Sequence, residues 1–250
     1  MLRERIQRFK KRKTRAIQAS LAFQNTSLPS LQKGELQEFE ELFSESSSHS
    51  QIHDQKAHLG GANQRGNPNS FTPAVWGVLY ELFRPRTFID FGCGLGQTIG
   101  YFQGLGVESK GVEGSRETIK NSEYKDSIIR NDYTYGVALQ EGDVFDLGYS
   151  QEFVEHIEEK DSWRIISDFK HCRHLALTHG LPGQPGHNHV NCRTSRYWVK
   201  ALQQEGFILD KEISLLLRRL ALYESRMQSQ VLRNHTKWFA RTGMVFHKVM

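Results

Sequence analysis

Apolar and polar positions along the chain follow two periods in regular succession. Short segments with a strand-like pattern predict buried strands at 87–91, 109–114, 127–132, 144–150 and 174–180. Between them, segments with a helical period predict helices at 97–105, at 116–125 and from 152 to 160. Strands that alternate with helices at this spacing are typical of a parallel sheet with helices on both faces.

Further helices are predicted on either side of this core. Thr72 and Pro73 form a typical helix start, with Thr as the cap and Pro at the first helical position. An amphipathic helix is predicted at 195–205 and is ended by Gly206. Another, predicted at 218–237, has apolar and basic faces and is compatible with either a lid or a dimer contact.

Charge is distributed unevenly along the 250 residues. The formal net charge is +5, yet residues 1–15 alone hold eight Lys and Arg side chains against one acid, Glu4. The rest of the chain carries 25 basic and 27 acidic side chains, so a basic face of the kind expected for a nucleic-acid enzyme is not predicted. We interpret 1–60 as a basic extension with a Ser-rich linker, partly helical or disordered, and 61–250 as the folded domain.

The basic extension has three interpretations. It is compatible with a solvated arm, with an organelle-targeting segment, and with an arm that contacts an acidic partner such as nucleic acid or a membrane surface. No apolar run approaches the roughly 18–20 residues of a membrane span, and the N-terminus lacks the apolar core of a secretory signal. Three cysteines leave at least one unpaired, which suits a reducing compartment, and the lack of a C-x-x-C pair disfavours a structural zinc site. We predict a cytoplasmic protein, with organelle targeting as the alternative.

Three glycines, Gly92, Gly94 and Gly96, follow the first predicted core strand within "TFIDFGCGLGQT". Glycine inside a strand or helix costs about 0.5–1 kcal/mol relative to alanine, so the cluster indicates a sharp turn or a close approach to a ligand. A dinucleotide site favours the spacing G-x-G-x-x-G. Here the spacing is G-x-G-x-G and an acid, Asp90, stands two positions before the first glycine, so NAD is disfavoured.

At these residues the chain resembles the class I S-adenosylmethionine-dependent methyltransferases, whose first motif has the form (D/E)-x-G-x-G-x-G. The resemblance continues in the same order over about residues 70–210 and includes "EFVEHI" and "GHNHVNCRTSRYWVKALQQEGF". It implies a doubly wound, mostly parallel seven-stranded α/β sheet with helices on both faces, preceded here by the basic extension. It also implies S-adenosylmethionine as the cofactor.

The resemblance assigns roles to single residues. Glu113 lies 17 residues after Gly96, where the family places an acid that accepts both ribose hydroxyls. Asp132 ends the third predicted core strand, where a side chain meets the adenine amine, and Asp143 is a nearby rival. The implied cofactor-binding residues are Asp90, Gly92, Gly94, Gly96, Glu113, Asp132 and Ser150.

Methyl transfer from a sulfonium is an in-line displacement in which the cofactor carries the reactive group and the protein supplies orientation. A catalytic base is therefore not obligatory. Histidines are the natural candidates because their ordinary pKa lies near neutrality, and the predicted catalytic residues are His156, His187 and His189. No carboxylate lies within the loop around His187 and His189, and the spacing with Cys192 matches no strong zinc pattern, so no metal is predicted.

Three functions stay open at this point. The first is a methyltransferase that acts on a small molecule or a glycan, favoured by the near-neutral body of the chain. The second is an RNA or protein methyltransferase that uses the basic extension. The third is a cofactor-binding scaffold without catalysis. No (N/D)-P-P-(Y/F) motif follows the fourth predicted core strand, where "LGYSQE" stands instead, which disfavours methylation of nucleic-acid amines.

Overall fold

The computed structural model describes residues 11, 51–53, 56, 58–63, 67, 69–229 and 238–249. The interpretations of the basic extension and of the Ser-rich linker lie almost entirely outside these residues, as does the end of the helix predicted at 218–237. No helix in the described part of the chain is both long and apolar enough to cross a membrane.

In the part of the chain that the structure describes, seven strands form one sheet and two more form a separate antiparallel pair. The strands are β1 (Gln51–His53), β2 (Gly60–Asn63), β3 (Thr87–Phe91), β4 (Glu108–Glu113), β5 (Ile128–Arg130), β6 (Phe145–Ser150), β7 (Cys172–Leu177), β8 (Phe207–Leu209) and β9 (Met244–Lys248). The sheet order is β5–β4–β3–β6–β7–β9–β8. Neighbours from β5 to β7 are parallel, and β9 is antiparallel to both β7 and β8. The predicted mostly parallel seven-stranded sheet is confirmed.

Helices cover both faces of this sheet. They are α1 (Pro73–Phe83), α2 (Gln97–Gly104), α3 (Arg116–Asn121), α4 (Ser162–Phe169), α5 (Ser195–Gln204), α6 (Lys211–Ser229) and α7 (Trp238–Thr242). Along β3, Phe88 packs with α1, α2, α6 and α7, whereas Ile89 and Phe91 pack with α4 and α5 on the opposite face. Successive strand residues point to opposite faces, and here both faces are buried under helices.

The segment after β6 differs from the prediction. A helix was expected from 152 to 160, but the structure has two short 3₁₀ turns, Val154–His156 and Glu159–Asp161, and α4 begins only at Ser162. The backbone amides of Val190 and Asn191 both donate to the carbonyl of Glu155 at 3.0 Å. That carbonyl is therefore engaged by a distant loop rather than by the next helical turn.

Two helix starts also depart from the sequence expectation. Thr72 precedes α1, but its side chain makes no capping hydrogen bond. Instead the amide of Ala74 donates to Glu224 Oε1 of α6 at 2.8 Å. The helix expected at 218 begins earlier, because Asp210 Oδ1 accepts from the amide of Ile213 at 2.9 Å and so acts as the cap of α6.

Candidate active site

A cleft of about 470 Å³ opens at the carboxyl ends of the central strands. It lies where β3 has β4 on one side and β6 on the other, so the chain winds in opposite directions from this point. Ligands of open α/β sheets bind at such a switch point. We call the part built after β3, β4 and β5 the bend side, and the part built after β6 and β7 the histidine side.

On the bend side, Gly92 and Gly94 are glycines for different reasons. Gly92 has φ +76°, and a Cβ there would lie 2.2 Å from Cγ of Phe153, so the packed ring excludes any side chain. Gly94 has φ +54°, and a Cβ there would meet nothing within 4 Å. Both conformations favour glycine. The first glycine serves packing, and the second leaves the main chain bare toward the cleft that it lines.

Asp90 lies beneath this bend as a buried carboxyl. Burial raises its pKa to about 7; the hydroxyl of Thr98, which donates to Oδ2, opposes the rise, and the charge of Glu113 adds to it. Gly96, with φ +81°, precedes the first residue of α2. The bend thus places an acid of shifted pKa directly under the bare main chain.

Glu113 reaches across from the end of β4 to the bend. Its Oε2 accepts from the amide of Gly94 at 3.1 Å, and its Oε1 accepts from the amide of Ser115 at 2.9 Å. The carboxylate, which lines the cleft, is therefore held in place by two backbone donors. The acid predicted from its spacing to Gly96 does lie beside the glycine bend.

Asp132, just beyond β5, closes the bend side and meets a segment that precedes the folded core. Lys56 Nζ lies 2.9 Å from its Oδ2, and His58 Nε2 lies 3.1 Å from the same atom. Burial alone would raise the pKa of Asp132, but hydrogen bonds from Thr134 and Lys56 outweigh it and lower the pKa to about 2. Asp132 is thus an anion at neutral pH, and it contacts the ammonium group of Lys56 and the imidazole of His58 from the segment before the core.

Three imidazoles line the histidine side: His156, His187 and His189. The rings of His156 and His189 meet edge to face with centroids 5.0 Å apart. Burial, with the nearby His189 and His187, lowers the pKa of His156 to about 4. His156 therefore presents a neutral imidazole at physiological pH, and the structure brings together the three histidines predicted as catalytic.

Two carboxyls on the histidine side were not predicted from the sequence as site residues. Glu152 lines the cleft, and burial raises its pKa to about 7 despite a hydrogen bond from Thr178. Glu155 is fully buried behind it. The available signal was the run Glu152-x-x-Glu155-His156 directly after a strand, at the edge where ligands bind. The helix predicted over 152–160 gave these two carboxyls no role in the site.

Of the predicted cofactor-binding residues, Asp90, Gly92, Gly94, Glu113 and Asp132 line the cleft. Gly96 and Ser150 are not among the lining residues. Ser150 is fully buried, and its hydroxyl donates to the carbonyl of Phe91 at 3.1 Å, which joins the ends of β6 and β3. These two residues support the cleft from behind.

The chain is similar to several solved methyltransferase structures. One is an S-adenosylmethionine-dependent methyltransferase from Archaeoglobus fulgidus, 16% identical, with a TM-score of 0.51 over 74% of this chain and 96% of that one. Another is the mitomycin 7-O-methyltransferase MmcR, 13% identical, TM-score 0.44, over 57% of this chain and 49% of that one. A third is the magnesium protoporphyrin IX methyltransferase ChlM from Synechocystis PCC 6803 with bound S-adenosylmethionine, 19% identical, TM-score 0.39, over 50% and 60%.

These likenesses concern the fold. No protein-family model and no curated protein sequence matches this chain. The chain spans less than two thirds of the length of MmcR and of ChlM. At 16% identity, the likeness to the Archaeoglobus fulgidus protein shows the Rossmann-like methyltransferase fold, as the resemblance in the sequence implied.

Proposed function

We propose that this chain is an S-adenosylmethionine-dependent methyltransferase. The observation that carries the proposal is the pairing of Glu113 with Gly94. A carboxylate is held 3.1 Å from the amide of a glycine whose missing side chain leaves the cleft open. A ribose diol requires a hydrogen-bond acceptor at this place, and the cofactor's charged amino-acid part requires a close approach to the main chain.

The bend side fits that cofactor residue by residue. Glu113 would accept hydrogen bonds from the ribose hydroxyls, and Asp132 from the adenine amine. The buried Asp90 and the bare main chain at Gly94 would face the ammonium and carboxylate ends. When bound, the cofactor supplies an electrophilic methyl group on a sulfonium. The protein's contribution is orientation, which in well-aligned reactions is worth effective molarities of about 10⁵–10⁸ M.

On the histidine side the chain would hold the acceptor. Nε2 of His187 is buried and has no hydrogen-bond partner among the described residues, so it is placed to accept the proton of an acceptor hydroxyl. Buried polar atoms normally have a partner, and an orphaned one indicates a missing ligand or water. The near-neutral body of the chain favours a small molecule or a glycan as the acceptor.

Calorimetry with S-adenosylmethionine and its demethylated product tests the cofactor assignment. We expect micromolar binding of both by the parent protein. Glu113→Ala removes two charge-assisted hydrogen bonds, each worth about 1.5–3 kcal/mol, and should weaken binding by at least about 100-fold. Glu117→Ala, an exposed acid in the first turn of α3, is the matched control and should bind like the parent. Equal affinity of the Glu113 variant and this control would refute the assignment.

Deletion of residues 1–20 tests the acceptor class. A small-molecule or glycan enzyme should retain its turnover without the basic extension. An RNA or protein methyltransferase that uses the extension should lose turnover and much of its salt sensitivity, because each phosphate contact made by a basic side chain releases counterions and adds to the salt dependence. Turnover is measured as release of the demethylated cofactor at two ionic strengths, with candidate acceptors of each class.

A further inference from the structure

Three donor groups on the histidine side converge on one point. Ligand atoms of Glu155, His156 and His189 all lie within 4.8 Å of one another. Glu155 and His156 belong to the 3₁₀ turn after β6, and His189 belongs to the loop before α5. The amides of Val190 and Asn191 hold this loop on the turn through the carbonyl of Glu155. The carboxylate that the loop itself lacks is thus supplied by another segment.

A second observation indicates that this cluster has a missing partner. Glu155 is fully buried, and neither of its carboxylate oxygens has a hydrogen-bond partner of normal geometry among the described residues. Buried carboxyls are ordinarily paired or bound to a metal, because desolvation without compensation is costly.

The position of the His189 ring is itself fixed. Its Nδ1 lies 3.2 Å from the carbonyl of Gln184, the type of outer contact that orients a metal-ligating imidazole. Any side chain at Gly186 would collide with this ring, since a Cβ there would lie 2.2 Å from His189 Nε2. The loop therefore holds the imidazole against its own main chain and toward Glu155 and His156.

We propose that Glu155, His156 and His189 bind one divalent transition-metal ion. Two imidazoles and one carboxylate suit zinc, iron, cobalt or manganese better than calcium. Three protein ligands leave coordination positions open, as in catalytic rather than structural sites. Donors about 2.0–2.2 Å from a shared ion lie at most ~4.4 Å apart, so small side-chain rotations complete the site.

The ion's role rests on the proposed function. Its open positions would hold the hydroxyl oxygen of the acceptor and make loss of that proton easier. In that transfer the O–CH₃ bond would form as the S–CH₃ bond breaks, the sulfur would leave as a neutral thioether, and Nε2 of His187 would accept the hydroxyl proton. The site then selects acceptors that bear a hydroxyl able to reach the ion.

Metal titration of the chelator-treated, tag-free protein tests the site. Calorimetry with Zn²⁺, and the visible absorption of Co²⁺, should show one ion per chain, whereas Mg²⁺ should bind far more weakly. Glu155→Gln and His189→Asn should each weaken Zn²⁺ and Co²⁺ binding by at least about 10–100-fold, the loss that removal of even an outer-shell partner causes. His171→Asn alters a histidine at the amino end of β7, bonded to the carbonyl of Asp143, and should bind like the parent.

Thermal melts distinguish a variant that has lost the metal site from a variant that has misfolded. Zn²⁺ should raise the melting temperature of the parent and of His171→Asn but leave that of His189→Asn unchanged. Absence of stoichiometric binding by the parent, or equal affinity in all the variants, would overturn the site. S-adenosylmethionine binding is measured in excess chelator and so does not depend on the ion. Failure of the metal site can therefore be distinguished from failure of the proposed cofactor site.

Discussion

The two sides of the cleft differ in how far the protein satisfies its own polar groups. On the bend side, the carboxyl of Asp90 accepts from Thr98, and Glu113 accepts from two backbone amides. On the histidine side, Glu155 and His187 carry buried polar atoms without partners in the described part of the chain. Partnered groups form a rigid cradle before any ligand arrives, whereas orphaned groups indicate that something from outside completes the site.

The largest effect is expected from Gly92→Ala. A methyl at this position would overlap Phe153, and its φ of +76° adds backbone strain. Overpacking and strain together cost about 2–5 kcal/mol. The melting temperature of the purified variant should fall by roughly 5–15 °C, and a melt within 2 °C of the parent would contradict the packing role.

Gly94→Ala should weaken cofactor binding while changing the stability of the fold only slightly. The new methyl meets open space, so only the φ of +54° opposes it and the fold should lose about 1 kcal/mol. Its methyl would project toward the cleft that Gly94 lines, and we expect about tenfold weaker S-adenosylmethionine binding by calorimetry. Parent-like affinity in a folded Gly94→Ala protein would show that the main chain at this point does not approach the ligand.

The buried Asp90 gives the bend side a pH dependence. Its pKa near 7 means that the carboxylate form, which attracts a cationic cofactor, is about one tenth populated at pH 6 and dominant at pH 8. S-adenosylmethionine affinity should therefore rise about tenfold between these values, with proton release on binding. Without ligand, Asp90 stabilises the fold below about pH 4, and this contribution is lost as the pH rises through 7.

Calorimetry in buffers of different ionisation enthalpy measures that proton release. Glu152, on the histidine side, also has a pKa near 7, so Asp90→Asn is the variant that separates the two carboxyls. This variant should bind with an affinity that hardly changes from pH 6 to 8. If the S-adenosylmethionine affinity of Asp90→Asn still rose tenfold from pH 6 to 8, the pH dependence would belong to a group other than Asp90.

The smallest effect is expected from His187→Asn. If the two sides act separately, this variant should bind S-adenosylmethionine within about twofold of the parent, because the role proposed for His187 concerns the acceptor and not the cofactor. The same protein should lose turnover once an acceptor is available. A loss of cofactor affinity above tenfold would show that the bend side and the histidine side are not independent.

The bend side could be predicted from the sequence because its landmarks are local. The acid and the glycines that follow β3 occupy one short segment, and Glu113 ends the strand paired next to β3. The carboxyl ends of neighbouring parallel strands lie at one edge of the sheet, so residues at these strand ends are expected to lie close together in space. The contact of Asp132 with Lys56 and His58 was not predictable, since it joins residues more than 70 positions apart.

The histidine side was predicted less well because distant contacts decide its local shape. The pattern of 152–160 favoured a helix, yet the loop at Val190 and Asn191 captures the carbonyl of Glu155 and leaves only short 3₁₀ turns. That change directs Glu155 and His156 toward His189. Periodicity reports which residues are apolar but not which carbonyls a remote loop will occupy.

A structure with S-adenosylhomocysteine bound is the decisive test of the proposed cofactor site. We expect both ribose hydroxyls within hydrogen-bond distance of the Glu113 carboxylate, the adenine next to Asp132, and the sulfur directed toward the histidine side. A nucleoside bound elsewhere, or one whose sugar makes no contact with Glu113, would refute the proposed site.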